Sequence, residues 1–167
     1  MTLDEFNALT PERAREELAR CCGASRWADF MLKCRPFQDK AALFRDADAT
    51  WDAMLPRDWL EAFEHHPRIG GKDALREKFA ATKSWAQGEQ AGAASADEAT
   101  LDALEKGNAE YEDKFGFLFI VCATGKSAAE MLALLKARLP NLQSAEMKIA
   151  AAEQAKITKI RLEKLLT

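Results

Sequence analysis

The chain contains two histidines, His65 and His66, side by side and followed at once by Pro67. An imidazole titrates near neutral pH and can serve as a general acid or base. A residue before proline is pushed out of helical geometry. His66 is therefore expected at the exit of a helix in an extended conformation. His65 is expected in the last helical turn, where the helix dipole tolerates a cation. The two side chains then point in different directions. Metal-binding pairs on a helix prefer i, i+3 or i, i+4 spacing, and neither a third histidine nor a nearby ligating cysteine completes a set, so no metal site is predicted. What remains is a single imidazole at a helix break, suited to proton transfer and equally suited to a plain capping or surface role.

Two further features carry chemical potential. Arg161 lies four residues after Ile157 and four before Leu165, in line with what reads as a buried stripe. A buried arginine needs an anionic or carbonyl partner, so it serves either as an anion binder or as one arm of a structural ion pair. The stretch "SWAQGEQAG" sets Glu89 and Gln90 among Ala86, Gly88, Ala91 and Gly92. Small neighbours admit a ligand, and they equally admit another helix.

These residues must be positioned by a chain of 167 residues that is 48% apolar and 31% charged, a composition that builds a compact core. The formal net charge is −3. Lys and Arg are interleaved with Asp and Glu, which reads as a solvated helical surface and not as a nucleic-acid footprint. Cys21, Cys22, Cys34 and Cys122 form no C-x-x-C, and read as thiols in a reducing compartment. The opening "MTLDEFNALTPERAREE" is acidic and lacks a signal core, and "FGFLFIVCA" is too short to span a bilayer. The C-terminal "EKLLT" carries no peroxisomal address. A cytoplasmic location is expected.

Helix signals dominate. Capping-box spacing occurs at Thr2–Glu5, Ser95–Glu98 and Ser127–Glu130. Thr10 and Pro11 start a helix for which Gly23 is the expected stop. The next is expected to end at Arg35, before Pro36. Leu43, Phe44, Ala47 and Trp51 share one side of another, and Leu75 and Phe79 the inner face of a shorter one. Residues 95–115 read as one long helix with Leu101, Leu104, Tyr111 and Phe115 inward. Two more helices follow. Residues 117–123 are apolar on every side and are expected to be buried, as a strand, an extended segment or a short helix. The following Gly-Lys-Ser is no P-loop, because that motif needs glycine at position 120, which is isoleucine. Instead Thr124 and Gly125 should turn the chain, with Ser127 capping the next helix. The expected architecture is all-α: a single domain over residues 1–167, a bundle of about eight helices with short connections.

The segments "RWADFMLKCRPF", "DWLEAFEHHPRIGG", "SWAQGEQAG", "YEDKFGFLFIVCATGKS", "LLKARLPN" and "ITKIRLEKLL" occur in that order. In this combination the chain resembles the 2-oxo-4-hydroxy-4-carboxy-5-ureidoimidazoline (OHCU) decarboxylases of purine breakdown, from Leu3 to Leu166. The resemblance implies an all-helical homodimer that uses neither metal nor organic cofactor. It implies conversion of an unstable ureidoimidazoline, made from urate by oxidation and hydrolysis, to (S)-allantoin. It assigns catalytic roles to His66, Glu89 and Arg161. Substrate contacts fall on Pro67, on Ala86, Gln87, Gly88, Glu89 and Gln90, and on Phe119, Ile120, Val121, Cys122 and Ala123. The chain departs from the family at Ala86, where a serine is usual, and at Leu118, often a proline. The missing hydroxyl implies weaker binding, not loss of function. Two other readings stay open: a different cofactor-free ureide-processing enzyme on the same scaffold, and a non-catalytic all-α dimer.

Overall fold

A computed structural model describes residues 1–68, 71, 73–77, 79 and 98–167. Among these residues the regular structure is helical and no strand occurs, in agreement with the all-α expectation. The helices are α1 (Leu3–Ala8), α2 (Pro11–Cys21), α3 (Ser25–Lys33), α4 (Lys40–Asp52), α5 (Pro56–Glu64), α6 (Glu98–Phe115), α7 (Ala128–Arg138) and α8 (Gln143–Leu165). Residues 71, 73–77 and 79 are also helical.

The starts follow from local chemistry. Thr2 and Ser127 accept from the backbone N–H groups of Glu5 and Glu130, whose carboxylates accept in return from the cap N–H groups. Thr10 caps α2 with Pro11 in the first turn, and Asp39 caps α4. The third expected capping box includes residues 95–97, which lie outside the described residues. Helix α2 stops before Gly23 as expected, through Cys22 in an extended conformation and without a left-handed glycine. One stop differs from expectation. Helix α3 ends at Lys33, two residues early. There the Cys34 N–H is shared between the carbonyls of Phe30 and Met31, which tightens the last turn. Arg35 then caps α1, donating to the carbonyls of Phe6, Asn7 and Leu9 at 2.9, 2.6 and 2.7 Å.

The chain groups into two compact units, residues 1–66 with 147–167, and residues 67–146. The first is built on Phe6, Leu18, Trp27, Met31, Leu43 and Trp51, all buried. Its two buried indoles are satisfied: Trp27 donates to the Ala47 carbonyl at 3.1 Å and Trp51 to the Ala151 carbonyl at 2.9 Å. The second is built on Leu75, Leu101, Leu104, Tyr111, Phe115, Phe117, Ile120 and Leu135. Leu101, Leu104, Tyr111 and Phe115 face inward as their spacing predicted, whereas Phe79 is only half-buried.

Residues 117–123 have no regular secondary structure. Phe117, Ile120 and Cys122 are buried, while Leu118, Phe119, Val121 and Ala123 stay partly exposed, so burial on every side is not realised. The segment's carbonyls turn to cations instead of to a sheet partner. Arg138 donates to the Ile120 carbonyl at 2.7 Å, and Lys126 to that of Cys122 at 2.8 Å. The expected turn follows, with Lys126 N–H bonded to Ala123 C=O at 3.1 Å and Gly125 at φ +75°.

Candidate active site

Helix α5 carries the histidines to its C-terminus. Pro56 opens it, and the buried Asp58 carboxylate accepts from the Leu55 N–H at 2.9 Å. His65 is its C-cap, with φ −79° and ψ −4°, and its Nδ1 lies 2.9 Å from the Glu61 carbonyl oxygen. The His66 N–H still donates to Phe63 C=O at 3.1 Å, closing the last turn. Its imidazole then diverges from that of His65: it is half-buried, and its Nε2 lies 2.5 Å from Oε1 of Gln154 on α8.

Helix α8 departs from the stripe read in the sequence. The buried line is Ala150, Gln154, Thr158, Leu162 and Leu166, four residues apart. Ile157, Arg161 and Leu165 flank it, each partly exposed. Two polar side chains can occupy the buried line because they satisfy one another. The Gln154 amide donates to the Thr158 hydroxyl at 3.1 Å, and that hydroxyl in turn favours the ionised form of the Cys22 thiol. One helical turn along, Arg161 Nη1 donates to the Cys21 carbonyl at 3.3 Å. The C-terminal end of α2 and one side of α8 thus hold the imidazole, the vicinal thiols and the guanidinium within one unit.

Burial pushes the Cys21 thiol up to about 12, against a smaller opposing pull from Arg161. Burial also raises the Cys22 thiol to about 11, partly offset by the Ala24 N–H and the Thr158 hydroxyl. Both are protonated at neutral pH and poor nucleophiles. The chemistry available on this side of the unit is therefore proton transfer at His66 and anion or carbonyl recognition at Arg161.

Among the described residues no group of three His, Cys, Asp or Glu side chains is placed to hold a metal ion, and no helix is long and apolar enough to cross a membrane. Of the other expected site residues, Pro67 is exposed and opens the second unit, which also holds Phe119–Ala123. Ala86, Gln87, Gly88, Glu89 and Gln90 lie outside the described residues. Sequence reading missed Gln154 and Thr158, since only apolar residues were followed along α8. It also missed Arg138 and Glu146. Glu146 is fully buried and accepts from Tyr111 Oη at 2.5 Å, Arg138 Nε at 2.5 Å and Asn141 Nδ2 at 2.9 Å. The signal for Arg138 was present: it continues the apolar positions Ala128, Met131 and Leu135 at helical spacing.

An all-helical scaffold with an imidazole fixed at a helix exit defines a class that comparison narrows. Residues 7–163 match the model of the OHCU decarboxylase family, and the chain belongs to that family. It is 37% identical over 161 residues to the "Uric acid degradation bifunctional protein TTL" of Arabidopsis thaliana, covering 95% of this chain and 49% of the relative. The chain thus spans about half the length of that protein. To the "2-oxo-4-hydroxy-4-carboxy-5-ureidoimidazoline decarboxylase" of Amia calva it is 33% identical over 172 residues, covering 99% of this chain and 95% of the relative. Its fold is similar to a crystal structure of an OHCU decarboxylase in the presence of (S)-allantoin. That match has a TM-score of 0.72 at 36% identity and covers 90% of this chain and 97% of that one.

Proposed function

We propose that this chain is a cofactor-independent carboxy-lyase that converts OHCU to (S)-allantoin in urate breakdown, with residues 1–167 acting as one decarboxylase domain. Family membership over residues 7–163 supports the substrate class. The observation that carries the chemistry is the half-buried His66 imidazole, held at a helix exit by Gln154.

Loss of CO₂ breaks one carbon–carbon bond and leaves its electron pair on a carbon next to carbonyl-type groups, as a carbanion or enolate. The protein has three tasks. Developing negative charge is stabilised by the Arg161 guanidinium and by backbone N–H groups of Phe119–Ala123. The ureido group is oriented by Glu89 and Gln90. A proton is delivered to one face of the carbon by His66, which makes the product a single enantiomer. Pro67 and Ala86–Gln90 complete the assigned substrate contacts, and Ala86 withholds the hydroxyl that relatives place there. The remaining assignments are a homodimer that acts in the cytoplasm on a small ureidoimidazoline, without nucleic-acid or membrane partners.

The test is a coupled assay read by circular dichroism. Urate is oxidised and hydrolysed in the cuvette by added upstream enzymes, with and without this protein. A faster allantoin signal of definite sign, abolished by His66→Ala, is expected. A signal that rises only at the spontaneous racemic rate rejects the proposal, and Ala86 becomes the first residue to revert to serine.

A further inference from the structure

Residues 117–123 have no regular structure, so no ladder of backbone hydrogen bonds fixes their path. Side chains must do so. Lys126 reaches the Cys122 carbonyl at 2.8 Å, but from only four residues on, so that bond travels with the segment. Arg138 comes from α7 and is rooted in the core. It is buried, and its Nε donates to the fully enclosed Glu146 carboxylate at 2.5 Å. That carboxylate is held in turn by Tyr111 Oη at 2.5 Å and by Asn141 Nδ2 at 2.9 Å. From this footing Arg138 grips two consecutive residues of the segment. Its Nη1 donates to the Ile120 carbonyl at 2.7 Å, and its Cζ lies over the Phe119 ring, 4.6 Å from the centroid. Tyr111 meets the same ring in a T-shaped arrangement, with centroids 5.1 Å apart.

A buried ion pair is seldom worth more to stability than an apolar pair of the same volume, because both charges must be desolvated. What an apolar pair cannot do is hold a carbonyl and orient a ring. We propose that Arg138, seated on Glu146, is the positioning residue of the 119–123 segment, setting its backbone N–H groups where negative charge develops on the substrate. The inference rests on the reading that those N–H groups stabilise that charge. Such donors are effective only when they are in place beforehand. A device that ties them to a helix, and not to the loop itself, gives irregular backbone the rigidity of the core.

The test is the double variant Arg138→Met, Glu146→Gln, which removes both charges, fills their space and leaves Tyr111 an acceptor. Leu135→Ala is the control: this fully buried residue lies on α7 within a turn of Arg138, and its loss loosens the same helix without taking a donor from the segment. The double variant should lower kcat about 10²-fold with little change in KM, since misplaced donors weaken the transition state more than the bound substrate. The control should keep its kcat. Hydrogen exchange should accelerate at residues 119–123 in the double variant and along α7 in the control. A folded double variant whose kcat matches the control overturns the inference. If the double variant does not fold, the unaltered protein decides by NMR. Its Arg138 Nη protons should give separate, slowly exchanging signals, with a coupling across the hydrogen bond to the Ile120 carbonyl carbon, and averaged signals overturn the inference. Failure of the proposed function has a different signature: the unaltered protein gives only the spontaneous racemic rate, while hydrogen exchange at residues 119–123 still separates the two variants.

Discussion

A methyl group at residue 23 would lie 2.5 Å from both Cβ and Cγ of His65. Gly23, next after the α2 C-cap, is therefore also the floor against which the α5 terminus rests. Gly23→Ala forces that terminus to shift, and overpacking of this kind costs about 1–3 kcal/mol. The loss should appear in urea denaturation at unchanged m-value. The double variant Gly23→Ala, His65→Ala should recover only part of it, since the His65 Cβ, itself 2.5 Å away, remains when the imidazole is removed.

Arg138 and Glu146 form a buried ion pair, with the carboxylate fully enclosed. Glu146→Ala leaves the guanidinium without its counter-charge and strips the Tyr111 hydroxyl of its acceptor. A loss of about 3–5 kcal/mol is expected, measured by chemical denaturation. Arg138→Met also releases the Ile120 carbonyl, so hydrogen exchange at residues 119–123 should accelerate in that variant.

The buried thiols make stability pH-dependent on the alkaline side. Cys21 and Cys22 rise in the folded state from 9.0 to about 12 and about 11. A raised thiol contributes stability that is complete below 9.0. Above it the unfolded thiols ionise first, the folded state binds more protons, and stability falls as pH rises through the folded values. Urea midpoints should therefore drop between pH 9 and 11. Replacing both cysteines by alanine should flatten that slope, and in the native protein the exposed Cys34 should be alkylated before either of them.

Among the described residues, Arg161 makes one hydrogen bond, at 3.3 Å, to the Cys21 carbonyl. Its place beside the buried line of α8 leaves the helix little dependent on it. Arg161→Met should melt close to the parent protein yet lower kcat about 10²–10³-fold, the range for losing a donor to developing negative charge. Arg161→Lys should recover only part, because an ammonium lacks the planar fork. Steady-state rates in the coupled assay separate these outcomes from a stability loss.

The starts of the helices were legible because they are local events. A threonine or serine followed three residues later by glutamate satisfies its own end of a helix, and Thr2 and Ser127 do so as read. The inward faces of α4 and α6 were legible from spacing for the same reason. The ends were less so. Cys34 stopped α3 ahead of Arg35 because Arg35 was needed by the carbonyls of α1, a demand made from about 28 residues away.

By itself, then, the amino-acid order determined the all-helical class, the family, and the break at His66-Pro67, since capping, periodicity and the proline constraint act within a few residues. Only the tertiary structure decided which polar groups share the interior. Gln154 is 88 residues from His66 and Arg138 is 18 from Ile120. No local pattern marks such partners, because a buried donor or acceptor is satisfied by whatever the fold brings within about 3 Å of it.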